Sequence, residues 1–185
     1  IHADHVTGLN ELNKRTNCIR VMGEKSKSEV IDLRIKDGEK IKVEEVELQA
    51  IYTPGHTDCS YSFLMNDRVF TGDTLLINGS GRTDFQNGNA YDAYDSIFNK
   101  LLKLPEKTLV FPAHDYNGKK FSTIENEKNN NPRLQVSSKE EYADIMNNLN
   151  LANPKMMDVA VPANVKGLTL DLSLIHISEP TRHLF

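Results

Sequence analysis

The pattern of apolar and polar positions changes character midway along the chain. Val6, Leu9 and Leu12 recur at helical spacing and predict a short helix over 7–15. Residues 18–22 read as a short buried strand. Residues 30–35 and 40–43 flank Asp37-Gly38, a turn-forming pair, and predict a hairpin. Residues 46–52 alternate as a further strand that ends at Pro54-Gly55. Residues 61–65 and 68–71 flank Asn66-Asp67 and predict a second hairpin. Residues 75–89 form a polar, Gly-rich loop. Tyr94, Ile97, Phe98, Leu101 and Leu102 share one face of a helix over 90–104, which stops before Pro105. Residues 109–111 read as a strand, and 123–129 and 139–149 as helices. Strands dominate the first half, helices the second, and there is no internal repeat. The expectation is an α/β fold with its chemistry at strand ends.

Composition narrows the function classes. The 185 residues are 38% hydrophobic and 26% charged, as in a globular chain, and suit one domain. No apolar run approaches the roughly 20 residues that span a bilayer. The net charge of -4, without a basic stripe, argues against nucleic acid as a partner. Cys18 and Cys59 form no CxxC pair, which excludes a zinc ribbon or thioredoxin motif and makes a reducing cytoplasm the default location. The two ends read as irregular. The chain opens on Ile1-His2-Ala3-Asp4-His5 with a ligand motif already under way, as if its beginning were lost. Residues 172–182 resemble the translated sequence of a transposon-type sequencing adapter; the alternative is a short amphipathic strand over 168–177. Setting 172–185 aside leaves a domain over 1–171 and four histidines: His2, His5, His56 and His114.

Those four histidines all fall in clusters where a predicted element begins or ends. The clusters are His2-Ala3-Asp4-His5, Thr53-Pro54-Gly55-His56-Thr57, Phe70-Thr71-Gly72-Asp73 and Phe111-Pro112-Ala113-His114-Asp115. Alone, a histidine after Pro-Gly is usually a loop residue, and Thr-Gly-Asp is a common turn. Together they offer imidazole and carboxylate donors, the ligands of zinc, iron and manganese, and they predict a shared metal site.

In order and spacing, His2-x-Asp4-His5, His56, Asp73 and His114 resemble the metallo-β-lactamase superfamily signature. The full motif there is Thr-His-x-His-x-Asp-His, so its first His would stand just before Ile1. The resemblance implies a four-layer αβ/βα sandwich, with the first sheet incomplete through the missing N-terminal strands. Within the superfamily the chain looks most like the persulfide dioxygenase family. That match rests on Gly81-Arg82-Thr83-Asp84-Phe85-Gln86, Pro112-Ala113-His114-Asp115-Tyr116, Asn131-Pro132-Arg133-Leu134 and Val161-Pro162-Ala163-Asn164.

The resemblance implies one Fe(II), held by His56, Asp73 and the His before Ile1, with positions open to oxygen and substrate. A chain beginning at Ile1 would then bind iron poorly and be inactive. His2, Asp4, His5 and His114 would be supporting residues or the remains of a second metal site. Glutathione contacts would fall on Arg82, Tyr116 and Asn164. The implied reaction is oxidation of glutathione persulfide by O2 to sulfite and glutathione, and the resemblance leaves a homodimer open. The rival is a glyoxalase II-like hydroxyacylglutathione hydrolase with two metals, zinc or iron, for which every ligand type present here would serve. A non-catalytic binding module with a structural metal fits less well, because structural sites are closed while residues 75–89 make an open loop.

Overall fold

The structure, a computed structural model, describes residues 1–168, so the tail set aside above lies outside the described residues. Two compact units are present. One comprises Ile1–Arg20, Ser28–Asp32 and the residues from Asn153 on; the other comprises Val21–Lys27 and Leu33–Ala152.

The larger unit opens with β1 (Val21–Gly23) and β2 (Leu33–Ile35), which pair in parallel. Its main sheet contains β3 (Lys40–Val43), β4 (Val46–Tyr52), β5 (Tyr61–Leu64) and β6 (Arg68–Gly72). After the small hairpin β7 (Leu75–Leu76) and β8 (Gly79–Ser80), it is completed by β9 (Leu109–Pro112) and β10 (Ser122–Thr123). The order is β10-β9-β6-β5-β4-β3, antiparallel except where β6 and β9 run parallel. The long connection from β6 to β9 carries α2 (Ala90–Tyr94), a π-helical turn over Asp95–Lys100 and a 3-10 turn over Leu101–Lys103. Helices α3 (Ile124–Asn130) and α4 (Lys139–Asn147) follow. Each of the three helices starts where a side chain caps it. Asn89 accepts from the Tyr91 and Asp92 amides, Thr123 from Asn126, and Ser138 from Glu141.

Strand alternation decides which face of the sheet is covered. Val69 and Val110 are buried against Ile97, Leu101, Ile124 and Tyr142 of the helices, while Phe70 between them points the other way and is partly exposed. Each fully buried side chain of this size contributes roughly 1.5–3 kcal/mol. Beside this apolar core lies a buried polar knot. Glu127 accepts from the Asn78 amide at 2.8 Å, from Asn131 Nδ2 at 2.7 Å, and from Ser122 and Asn126. Asn131 also donates to the Gly79 carbonyl at 2.9 Å, and Arg133 to that of Ser80, so the knot fixes the β7–β8 hairpin. Burial pushes the Arg133 guanidinium down from its usual value.

Two sequence expectations need correction. Residues 30–35 and 40–43 do not form a hairpin. The Asp37-Gly38 turn exists, with Gly38 at φ 81 and the Glu39 amide on the Lys36 carbonyl. Asp37, however, accepts from the Tyr52 amide and Gly38 donates to Ala50, so the turn is bonded to β4, and β2 pairs with β1 instead. The hairpin partner of β3 is β4, joined through Glu44 at φ 52. The loop over 75–89 is also less polar than expected, because Leu75 and Ile77 are buried.

The smaller unit contains α1 (Leu9–Thr16) and α5 (Met157–Lys166). Pro162 lies inside α5 and has no N–H to donate, which is why no helix is predicted there. The helix is instead anchored at its C-terminal half. Val165 accepts from the Glu29 amide at 2.8 Å, and the Gly167 carbonyl accepts from Asn10 Nδ2. Asn10 is held in turn by Arg20, whose guanidinium makes a two-pronged pair with Asp32 at 2.9 and 2.8 Å. Hydrogen bonds from Arg20 hold the Asp32 carboxyl down at about 2. Among the described residues no helix is long and apolar enough to cross a membrane.

Candidate metal centre

Three strand ends of the larger unit deliver the first group of ligand-type side chains. His56 follows β4 through Pro54 and Gly55. Gly55 has φ 140, and a Cβ there would lie 2.3 Å from Ala93 Cα, so the His56 loop lies directly on the backbone of α2. Ser96 Oγ donates to the Pro54 carbonyl at 2.6 Å, and the Asn89 amide to Gly55 at 2.8 Å. These contacts fix where His56 begins. Its Nδ1 lies 2.8 Å from the Arg82 carbonyl, which can only accept, so Nδ1 carries the proton and Nε2 presents its lone pair. That lone pair lies 3.7 Å from Asp73 Oδ2.

Asp73 stands just beyond β6, and its side chain is 11% exposed. The turn that carries it is held by Thr71 Oγ1 on the Leu75 carbonyl at 2.6 Å and Thr74 Oγ1 on Thr53 at 3.2 Å. The other Asp73 oxygen, Oδ1, lies 2.6 Å from His114 Nδ1. His114 follows β9, where the Ala113 amide bonds to the Gly72 carbonyl at 3.0 Å. One carboxylate thus faces a different imidazole with each oxygen. These are imidazole and carboxylate donors, the types that bind divalent transition metals, and one histidine is held in the tautomer a metal needs.

The strap over 81–88 crosses this group. A Cβ on Gly81 would lie 1.9 Å from the Asp73 carbonyl and 3.0 Å from His56 Nδ1, so only glycine fits. Arg82 is engaged within the same unit. Its Nε and Nη2 donate to the Asp84 carboxylate, both at 2.6 Å, and Nη1 to the Ala152 carbonyl at 2.7 Å. The guanidinium also lies 4.2 Å over the Phe85 ring. The Arg82 hydrogen bonds hold the Asp84 carboxyl below the ordinary aspartate range. Tyr116 stacks parallel to His114, with ring centroids 6.2 Å apart, and is 84% exposed.

The second group lies in the smaller unit. Ligand atoms of His2, Asp4 and His5 fall within 4.8 Å of one another. His5 Nδ1 is 3.0 Å and His2 Nδ1 3.9 Å from Asp4 Oδ1. Asn164 is buried in the same unit against the backbone of this loop. The structure therefore brings His56, Asp73 and His114 together, and separately His2, Asp4 and His5. Sequence reasoning missed the anchoring role of Asn10, Arg20 and Asp32. Charge pairing across eleven residues has no local signature, although the Arg-x-Asp spacing of Arg82 and Asp84 was there to be read.

Comparisons with known proteins extend this picture. The chain is 45% identical over 168 residues to "Persulfide dioxygenase ETHE1, mitochondrial" of Homo sapiens, a match that covers 89% of this chain and 65% of that protein. The chain thus spans less than two thirds of that relative's length. The crystal structure of ETHE1 from Myxococcus xanthus superposes with a TM-score of 0.86 at 48% identity, covering 89% of this chain and 72% of that one. A hydroxyacylglutathione hydrolase of Buchnera aphidicola is 37% identical over 116 residues, covering 62% of this chain and 45% of that protein. The mixed sheet flanked by helices is the metallo-beta-lactamase fold. Since the pattern of the metallo-beta-lactamase superfamily also matches residues 1–114, more than half of the sequence, the chain belongs to that superfamily.

Proposed function

We propose that this chain carries the catalytic region of an iron-dependent persulfide dioxygenase, which oxidises glutathione persulfide with O2 to sulfite and glutathione. The observation that supports this reading best is the 45% identity to a persulfide dioxygenase across 168 residues, 89% of this chain. In balanced form, one persulfide, one O2 and one water give glutathione, sulfite and two protons. Bound Fe(II) would supply the redox chemistry that joins oxygen to the terminal sulfur.

The chain's own residues do the rest. His56 and Asp73 would hold the metal, with the Nδ1 bond to the Arg82 carbonyl fixing the tautomer in which Nε2 of the neutral ring is the ligand atom. His114 bonds to the far oxygen of Asp73 and fixes the plane of that carboxylate. His2, Asp4 and His5 support the centre or bind a second metal. Tyr116 offers an exposed aromatic face to substrate beside His114. Arg82 is held by the Asp84 carboxylate and the 151–152 carbonyls, so a two-pronged contact with a substrate carboxylate would require it to give up some of these partners. Cys18 and Cys59 are unpaired thiols, which suits a reducing compartment such as the cytoplasm.

The set His2, Asp4, His5 and His114 would also serve a two-metal hydrolase. The test is metal stoichiometry together with turnover in the full-length protein, loaded anaerobically. One iron per chain and no hydrolysis of acyl-glutathione under nitrogen are expected. Two metals per chain with rapid thioester hydrolysis would overturn the proposal in favour of the hydrolase.

A further inference from the structure

The loop that presents His2, Asp4 and His5 is not part of any strand among the described residues. It lies between the start of the chain and α1, and its side chains are one-third to one-half exposed. A loop of this kind holds a ligand geometry only if its backbone is bonded to something rigid. Three such bonds come from one side chain more than 150 residues away. Asn164 Nδ2 donates to the His2 carbonyl and to the His5 carbonyl, both at 2.9 Å, and Oδ1 accepts from the Thr7 amide at 2.8 Å. The amide cannot be turned round, because its oxygen would then face two carbonyls and its nitrogen an N–H. Three of its four hydrogen-bonding positions are therefore filled by the loop, and the residue is 8% exposed.

The helix that bears Asn164 is itself pinned at this residue and just beyond it. Ser28 Oγ lies 3.4 Å from the Val165 carbonyl, the Glu29 amide donates to that carbonyl, and Asn10 donates to Gly167. A Cβ on Gly167 would lie 2.0 Å from Asn10 Nδ2, so the helix end sits against α1 with no slack. Rotating or sliding α5 would break all of these bonds together.

We propose that Asn164 is a positioning residue that sets the His2–Asp4–His5 loop for metal binding. It clamps the carbonyls of both histidines and the amide of Thr7, which follows the second of them, so the imidazoles leave the backbone at a fixed separation before any metal arrives. The ring centroids stand 4.5 Å apart in this arrangement. The inference rests on the metal-binding reading of the loop and is independent of the persulfide chemistry.

The test is a Zn(II) titration of the full-length protein, followed through the imidazole signals of His2 and His5, with exchange of the Thr7 amide measured in the metal-free state. Supporting groups of this kind typically carry about a ten- to hundredfold factor in metal affinity. Asn164→Ala should weaken Zn(II) at His2 and His5 by that factor and expose the Thr7 amide to exchange. Asn164→Asp should do the same, because it keeps an acceptor for Thr7 but turns an oxygen toward two carbonyls. Ser28→Ala removes one contact of α5 outside the loop and leaves the Glu29 and Asn10 bonds in place, so it should leave both readouts near wild type. Wild-type affinity in Asn164→Ala, or an equal loss in Ser28→Ala, would overturn the proposal. Failure of Zn(II) to move the His2 and His5 signals in the wild-type protein would overturn it together with the metal reading of the loop, whereas a failed sulfite assay alone would leave it standing.

Discussion

The two groups of ligand-type residues are held by opposite means. His56, Asp73 and His114 stand just past β4, β6 and β9 of one sheet, where strand hydrogen bonds fix the backbone and packed glycines bring neighbouring chain against it. His2, Asp4 and His5 stand on a loop whose backbone is bonded three times by the side chain of Asn164. The first group inherits its geometry from a scaffold formed within about sixty residues. The second depends on a contact that closes only when α5 is in place. Rigid elements give the more precise placement, so the loop-borne group depends more on side-chain anchors than the sheet-borne group does.

The largest effect that would sharpen this contrast comes from Gly81→Ala. A methyl group 1.9 Å from the Asp73 carbonyl has nowhere to go, because the obstacle is backbone. We expect about 3 kcal/mol of destabilisation, at the upper end for overpacking, and loss of iron. Iron content and thermal unfolding measure both. Normal iron with normal stability would show that the strap over 81–88 does not brace the sheet-borne group.

Arg82→Ala comes next. Losing a charge-assisted hydrogen bond typically costs roughly 1.5–3 kcal/mol, so kcat/KM for glutathione persulfide should fall about ten- to a hundredfold. Iron should remain, because the bond to His56 comes from the Arg82 main chain. Adding Asp84→Ala to wild type separates two roles. If Arg82 serves substrate, freeing it from Asp84 should preserve or improve KM; if it only pins the strap to the 151–152 carbonyls, Arg82→Ala should lose iron and Asp84→Ala should keep it.

The smallest effect concerns acid. Arg20 holds Asp32 down at about 2, against roughly 3.9 for an ordinary aspartate. A depressed carboxyl contributes stability above its unfolded value and loses it as pH falls through the folded one. Between pH 4 and 2 the unit that carries the His2–His5 loop should therefore soften. Because the pair is exposed, the contribution is small. The Asp32→Asn variant should show a shallower decline in melting temperature over that window, and an identical decline would remove the pair from the anchoring of α5.

How much of this was legible in the sequence follows the range of the interactions. Helix starts were readable because Asn89, Thr123 and Ser138 cap their own neighbours. The Asn66-Asp67 hairpin was readable because its strands are adjacent. The Asp37-Gly38 turn was read correctly as a turn and wrongly as a hairpin, since the competing bonds to Ala50 and Tyr52 lie more than ten residues away. The winding change over Asp95–Lys100 leaves no trace in a helical apolar pattern. At the site, residue types and spacing marked every ligand candidate. What they could not show was that Arg82 is bonded to Asp84 and that Asn164 faces the His2–His5 loop, because tertiary packing alone decides a polar side chain's partner.

The central claim turns on Asp73 and oxygen. Full-length protein loaded anaerobically with Fe(II) should form sulfite from glutathione persulfide only when O2 is admitted. Asp73→Asn replaces an anionic donor with a neutral amide, so iron should bind more weakly and oxygen-dependent sulfite should nearly vanish. Sulfite that forms equally under nitrogen, or persists undiminished in Asp73→Asn, would contradict the account.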